Sequence, residues 1–413
     1  MLQSPLDTKT EVVSVDCVLD RLYVKYRNKM RYIDDNDGLV KQLTDQLNSV
    51  FTSYNYDAAF VKRRLERIHG YQTKLEALKN LPIVEQRSQQ WYEMRQTRIT
   101  ASDFAQALGD GKFGTQKQFY QKKSGYEKDT FDSNSPPLKW GIKYEPVAID
   151  AYANKNKMRM HDFGLLPHPN ISWFGASPDS INELGVMVEI KCPYKRKITG
   201  DVPLQYYYQM QGQLDVCDLD ECDFLECEFI EYNDEEQFKT HFGDNTNEKG
   251  IMIEYEHQGH ITHEYSPFEY HADVHSLLRW KEDASSTLFG NPSKKFIRAT
   301  YWQLNTYNVV RVYRNAEFLS EKFPMLKSVW DKICEYKKNR SLYDSEIKCP
   351  SPTKRGFKNK SNEPTEVIHL DLGTPPERFT PPSEVEAKFS VTLPTRQNGD
   401  VRMSGYAFCD SDD

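Results

Sequence analysis

The chain has no run of about 18 or more apolar residues, so no membrane-spanning helix is expected. None of its eight cysteines (Cys17, Cys192, Cys217, Cys222, Cys227, Cys334, Cys349 and Cys409) forms a C-x-x-C pair. A chain of 413 residues does not need disulfide staples, and an iron–sulfur or zinc role for some of these cysteines is the rival to buried free thiols. The nearest approach to a metal pattern is Cys217, Cys222 and Cys227. The last two fall in an apparent strand, where an odd offset sends them to opposite faces, so buried free thiols are expected. Basic charge is not in excess either: 54 Lys and Arg against 61 Asp and Glu leave a net charge of −7. A globally basic nucleic-acid coat is thereby excluded, and a local basic groove is not. The opening MLQSPLDTKTEVVSVD lacks the apolar core of a secretory signal. The expectation is an intracellular protein that is not secreted. No internal repeat is visible.

Aromatic residues, by contrast, are plentiful. They make up 13% of the chain, with 25 Tyr and 21 Phe, and suffice for a sizeable core although only 38% of residues are hydrophobic. Residues 1–82 read as a mainly helical extension, an accessory cap without chemistry. Helical patterns at 38–54 (with Leu39, Leu43, Leu47 and Val50 as one apolar stripe) and 56–80 end at Pro82. Residues 83–345 alternate helical and strand-rich stretches. Helices are expected around 140–155, after Pro203 and at 316–337, with strands near 173–191, 223–232 and 250–265. That alternation argues for an α/β (α+β) fold. Residues 346–413 are rich in Pro, Ser, Thr and charge and are expected to be a disordered tail. Ser351-Pro352, Thr374-Pro375 and Thr380-Pro381 are candidate phosphorylation dipeptides within it.

The strongest chemical signal is SPDSINELGVMVEIKCP, Ser177 to Pro193. Asn182-Glu183-Leu184-Gly185 supplies turn residues, and Val186 to Lys191 forms the returning strand. In a strand, residues two apart share a face, so Glu189 and Lys191 point one way and Ile190 the other, into the core. A hairpin of this size returns Glu189 to Asp179. Two carboxylates and an ammonium then converge, a set that suits a hard cation such as Mg²⁺ and a phosphodiester. Lys191 would position or deprotonate an attacking water and counter the negative transition state. The competing reading is a surface hairpin with an ordinary Glu–Lys pair.

Asp179 followed ten residues later by Glu189-Ile190-Lys191 resembles the motif of PD-(D/E)XK nucleases. The flanking blocks QRSQQWYEMRQTRITAS (86–102), KWGIKYEPVAIDAY (139–152), FGASPD (174–179) and YYYQMQGQLDV (206–216) are similar to the YqaJ branch, the lambda-type exonucleases of phages and large DNA viruses. The resemblance spans roughly 83 to 340. It implies a restriction-endonuclease-like core, a central mixed sheet flanked by helices. It further implies a Mg²⁺-dependent deoxyribonuclease, with Mn²⁺ as a substitute and two ions, acting 5′→3′ from double-stranded DNA ends in viral recombination, replication or repair. Rival readings are an endonuclease or RNA-cleaving enzyme on the same core, and a catalytically silent DNA-binding scaffold.

By that resemblance Asp179, Glu189 and the Ile190 carbonyl hold metal, with Glu145 reaching it through water. Glu145, Ala148, Ile149 and Tyr152 share one helical face, where a carboxylate is costly unless paired or metal-bound. Arg95, Ser102 and Ser177 would hold a 5′-phosphate, while Trp91 and Met94 read as core anchors. Tyr206 and Gln209 share a face that Gln213 continues. The family's glutamine at the metal-bound water or scissile phosphate is assigned to Gln209, and Gln211 is the alternative because Q-M-Q is ambiguous by two positions. Tyr206 borders the site, and the loop Tyr194-Lys195-Arg196-Lys197 is either a DNA contact through Lys195 and Arg196 or a solvated loop. One departure is Ser180, where the family has glycine after the motif aspartate. The resemblance also implies a single-strand annealing protein as partner, a toroidal homotrimer, and residence in the cytoplasm or host nucleus. His257, His260 and His263 sit at an expected hairpin tip, Gln258-Gly259, and are not expected to bind zinc.

Overall fold

A computed structural model describes residues 14–27, 36–82, 84–112, 114–126 and 135–348. All of these lie in one compact unit, Val13–Ser383. The proline-rich tail from residue 349 onward, with Cys349, Cys409 and the three dipeptides, lies outside the described residues.

Three helices open the chain: α1 (Val15–Arg27), α2 (Asn36–Val50) and α3 (Ala58–Lys79). The last two match the apolar patterns to within a few residues. Helix α1 was not foreseen, because its inner face carries charge: Asp16 and Asp20 are buried beside Cys17, Leu19 and Val24. An apolar-periodicity rule is blind to a face that is buried by ion pairing. Asp57 caps α3 by accepting the Phe60 N–H at 2.7 Å.

Next come α4 (Gln89–Gln96), β1 (Ile99–Thr100), a 3₁₀ turn at Ala101–Asp103, α5 (Phe104–Leu108), α6 (Gln116–Ser124) and α7 (Pro136–Asn156). Strands β2 (Met160–His161), β3 (Leu166–Pro167), β4 (Phe174–Ala176), β5 (Ser180–Asn182) and β6 (Met187–Lys191) lead into α8 (Leu204–Cys217). After β7 (Glu221–Glu231) and α9 (Glu235–His241), β8 (Lys249–His257) and β9 (His260–Tyr265) form a hairpin. Its tip is Gln258-Gly259, both with positive φ, as the sequence indicated. Helix α10 (Val274–Phe289), β10 (Lys294–Tyr313) and α11 (Ala316–Lys338) follow, and a short helix α12 (Arg340–Tyr343) with a π-helical turn (Asp344–Lys348) ends the described chain.

The main sheet is mixed and runs β2-β5-β6-β7-β10-β8-β9; β1, β4 and β3 form a second, small sheet. The β6–β7 pair is parallel, and its neighbours on either side are antiparallel. The 20-residue β10 joins the two halves, pairing with β7 through its C-terminal part and with β8 through its N-terminal part. Register shifts at Phe296/Arg298 and Leu304/Thr306 reset its in–out alternation. A period-2 pattern broken in this way explains why the strand escapes a reading of the sequence.

Each face of the sheet has its own core. Met187, Cys222 and Phe224 pack with α5, α8 and α11 residues, including Phe104, Met210 and Leu326. On the other face, Val188, Ile190, Leu225 and Cys227 pack against Tyr144, Ala148 and Tyr152 of α7. Cys222 and Cys227 thus point to opposite faces, and Cys17, Cys192 and Cys217 are also buried free thiols. Among the described residues no helix is long and apolar enough to cross a membrane.

Helix α3 packs on the motif hairpin. Gln72 Nε2 donates to the Glu183 carbonyl at 3.1 Å, and Ile68 shares a buried cluster with Leu184. Leu75 and Leu78 enter the central core. This helix therefore builds the platform of the site and is more than a cap laid over it.

Candidate active site

The β5–β6 hairpin sets the frame. Asn182 Oδ1 accepts the Leu184 and Val186 N–H groups at 3.0 and 3.1 Å, and Gly185 takes φ 81°. The chain therefore turns at 182–185, and Ser180 is extended within β5, buried, with its hydroxyl donating to the His161 carbonyl at 3.1 Å. No glycine is required after Asp179, because the turn lies elsewhere. The antiparallel register pairs Ser180 with Val188, so the next step outward sets Asp179 beside Glu189. Asp179 Oδ2 accepts the Ile190 N–H at 2.8 Å, which pins the acid to the strand.

Glu189 and Lys191 face α8, and Ile190 faces α7, as strand alternation requires. Glu189 is fully buried and is held from two sides: Lys191 Nζ pairs with Oε1, and Gln213 Nε2 donates to Oε2 at 2.7 Å. Gln213 Nε2 also reaches the Ser177 carbonyl at 3.3 Å. Burial and the neighbouring Glu189 charge push the Asp179 carboxyl well above its ordinary range. Burial opposes the charge on Lys191, but Glu189 and Asp179 outweigh it and keep the amine strongly basic.

The glutamine that meets Glu189 is Gln213, not Gln209. Gln209 is only half-buried and is not among the hydrogen-bond partners of Glu189. Gln211 has a structural duty instead, donating to the Tyr313 carbonyl at 2.8 Å and accepting the Asn315 N–H at 2.7 Å. The helix phase is set by Gly212, whose missing Cβ would come within 3.0–3.1 Å of Phe174, Ala101 and Phe104. The four-residue spacing of Gln209 and Gln213 already puts both on one helix face; which of the two meets Glu189 depends on this close approach of α8, which Q-M-Q-G-Q alone does not record.

Glu145 comes from α7 with its side chain 31% exposed. Burial pushes its carboxyl up, while Arg87 and Lys191 pull it down. The Arg87 guanidinium stands 3.9 Å from Glu145 Oε2, a pairing between residues far apart in the chain that no local pattern records. Among the described residues no group of three or more His, Cys, Asp or Glu gathers as a metal cage, and the three histidines of the β8–β9 hairpin form none. The oxygen donors brought side by side are the Asp179 and Glu189 carboxylates, a hard donor set. Gln213 Oε1 is buried without a hydrogen-bond partner. Crowded acids and an orphaned acceptor fit a hydrated divalent cation, which would neutralise the first and offer water protons to the second.

A second cluster lies on α4. Arg95 stacks over Trp91, its guanidinium carbon 4.4 Å from the ring centroid, and donates to Ser102 Oγ at 3.1 Å. Trp91 Nε1 donates to Ser177 Oγ at 3.1 Å, so Arg95, Ser102 and Ser177 are brought together around one indole. Trp91 and Met94 are not core anchors. Helix α4 buries no residue, and both side chains are half-buried, because Trp91 braces the polar groups beside it. Beneath the turn after α4, the buried Lys123 donates to the Arg95 and Arg98 carbonyls at 2.7 and 2.8 Å and pairs with Asp103 at 2.8 Å. In the sequence, Lys123 looks like any surface lysine of a helix end.

The basic loop divides. Lys195 is exposed and available to a phosphate, whereas Arg196 turns inward to pair with Glu226. Glu226 is fully buried opposite Lys191 in the parallel register, and a buried carboxylate there requires a cation. Tyr206 lies between them, its ring centroid 5.1 Å from Lys191 Nζ and 5.8 Å from the Arg196 guanidinium carbon.

An uncharacterized protein of Acanthamoeba polyphaga mimivirus is 26% identical over 317 residues, covering 67% of this chain and 57% of that one. The chain thus spans little more than half the length of that relative. A crystal structure of an alkaline exonuclease from Laribacter hongkongensis is similar at 16% identity and a TM-score of 0.39, over 63% of this chain and all of that one. A phage-related exonuclease from Haemophilus somnus is similar at 11% identity and a TM-score of 0.28, over 46% of this chain and 96% of that one. Over residues 90–220, the stretch that holds Glu145, Asp179, Glu189, Lys191 and Gln213 together with Arg95, Ser102 and Ser177, the chain matches the YqaJ-like viral recombinase domain.

Proposed function

We propose that this protein is a Mg²⁺-dependent deoxyribonuclease that degrades double-stranded DNA 5′→3′ from its ends in viral recombination. The observation that carries the reading is the convergence of Asp179, Glu189, Lys191 and Gln213 on one side of β6, beside the Arg95–Ser102–Ser177 cluster.

Asp179, Glu189 and the Ile190 carbonyl would hold the ion, with Glu145 reaching it through water. When bound, the ion supplies positive charge to a phosphate oxygen and acidity to water. The chain's own groups do the rest. Lys191, held as an ammonium, orients the attacking water and balances the charge that develops on the phosphate. Gln213 keeps Glu189 in place through Nε2 and presents the free Oε1 to a water proton. Tyr206 screens the ammonium from solvent on its far side. Arg95 forks onto the terminal phosphate with Ser102 and Ser177, and the Trp91 indole keeps its guanidinium from wandering. Water attacks phosphorus and the bond to the 3′-oxygen breaks. Each cut then leaves a new 5′-phosphate for Arg95 to hold, which gives the reaction its direction.

The test is digestion of end-labelled linear duplex, closed circular duplex and RNA side by side in Mg²⁺. The reading predicts loss of 5′-terminal nucleotides from the linear duplex alone. Cleavage of the circle or of RNA at comparable rates would overturn it.

A further inference from the structure

Arg87 takes a backbone conformation that is uncommon for a residue other than glycine. Its φ is 67°, in the left-handed region that costs an L-residue about 1 kcal/mol or more. The loop that carries it is tied down on both sides. Val84 accepts the Leu165 N–H at 3.1 Å, and Gln86 Nε2 donates to the Phe163 carbonyl at 3.1 Å and the Pro178 carbonyl at 3.5 Å. Ser88 then caps α4 by accepting the Trp91 N–H at 3.2 Å. Gln86 and Trp91 therefore grip Pro178 and Ser177, the two residues directly before Asp179. Arg87 is the residue between these two anchors.

The side chain is 49% exposed, and among the described residues its ion-pair partner is Glu145 at 3.9 Å, longer than a good charge-assisted hydrogen bond. A guanidinium offers five donors, and its exposed half leaves several of them to solvent. A strained backbone and a loosely paired cation at the rim of a carboxylate cluster are poor contributions to stability. They suit a group waiting for a second anion.

We propose that Arg87 is a substrate-binding residue that takes a backbone phosphate of the DNA strand between the Asp179–Glu189 cluster and the Arg95 cluster. This rests on the nuclease reading above and adds to it a contact that fixes the strand across the gap. Arg87 leaves Glu145 in part when the phosphate arrives, and the clamp formed with Arg95 keeps the strand in register for the next cut.

The experiment uses two variants of the full chain. Arg87→Gly removes the guanidinium and relieves the positive φ, so it should fold at least as stably as the parent. Arg87→Lys keeps a charge but not the fork. DNA affinity is measured with Ca²⁺ in place of Mg²⁺ over a range of salt, and KM and kcat are measured in Mg²⁺. The expected result for Arg87→Gly is an unchanged or higher melting temperature, a KM raised about tenfold, and a salt slope smaller by about one ion. Arg87→Lys should recover the slope and only part of the affinity. If Arg87→Gly binds DNA with the parent's affinity and slope, the proposal is overturned. Failure of the parent to cleave DNA would reject the nuclease reading instead, and the binding measurement would still decide the role of Arg87.

Discussion

At the scale of single residues, the site is a problem of buried charge. Glu189 is sealed from water, and Lys191 and Gln213 are its compensation. Replacing Lys191 with Ala should lower single-turnover cleavage about 10²–10³-fold, the size typical of a lost transition-state cation, while DNA binding in Ca²⁺ survives. Full cleavage by that variant would remove Lys191 from the chemistry. Gln213→Ala should cost more in kcat than Gln209→Ala, because only Gln213 meets Glu189. An equal loss at both positions would say that α8 is rotated from the phase described. Arg95→Ala should abolish the preference for 5′-phosphorylated over 5′-hydroxyl ends, measured as a ratio of kcat/KM values; an unchanged ratio would end the pocket assignment. The parity of Asp179, Glu189 and Lys191 was legible in the sequence because strand alternation is local. Gln213 and Arg196 could be placed near the site but their partners could not, since one depends on how close α8 approaches and the other on the buried Glu226 of a neighbouring strand.

At the scale of elements, the motif hairpin depends on a helix far away in sequence. A Cβ at Gly185 would lie 2.6 Å from both the Cβ and the carbonyl oxygen of Tyr71, in a backbone conformation of φ 81°. Gly185→Ala should therefore destabilise the protein by about 2–4 kcal/mol through strain and overlap together. Chemical denaturation measures this, and a loss under about 0.5 kcal/mol, the range of an ordinary surface substitution, would show that α3 and the turn are not in contact. The turn itself was readable from Asn-Glu-Leu-Gly, and α3 from its periodicity. Their contact was not, because nothing in a local pattern records which distant surface a helix will meet. The same limit hid α1, whose buried face is acidic, and β10, whose alternation is twice reset.

At the scale of the whole molecule, a buried ionic network joins the N-terminal helices to the sheet. Arg64 of α3 pairs with Asp20 at 2.6 Å and with Glu221; Arg311 of β10 pairs with Glu221, with Asp223 at 2.5 Å and with Asp20 at 3.3 Å. Removing one partner strands the others in a medium that cannot solvate them. Arg64→Met should cost about 3–5 kcal/mol, more than a surface cation could. Burial alone would raise the Glu221 carboxyl, but Arg64 and Arg311 pull it down to about 2 from 4.5. Glu254 likewise falls to about 2, where Arg298 and Lys143 overcome its burial. Both carboxylates bind protons more weakly folded than unfolded, so their contribution to stability is complete above about pH 4.5 and is lost as the pH falls toward 2. Melting temperatures taken across that interval should drop steadily, and a flat profile would contradict the network.

If Asp179, Glu189 and Lys191 form the proposed metal-dependent site for cutting DNA from its ends, activity must follow the metal. The decisive experiment titrates Mg²⁺ against a 5′-phosphorylated linear duplex, with a closed circle of the same sequence as control. Release of 5′-mononucleotides should rise with Mg²⁺ and leave the circle whole. Release that is indifferent to the metal, or no release at any concentration, would contradict the proposed site.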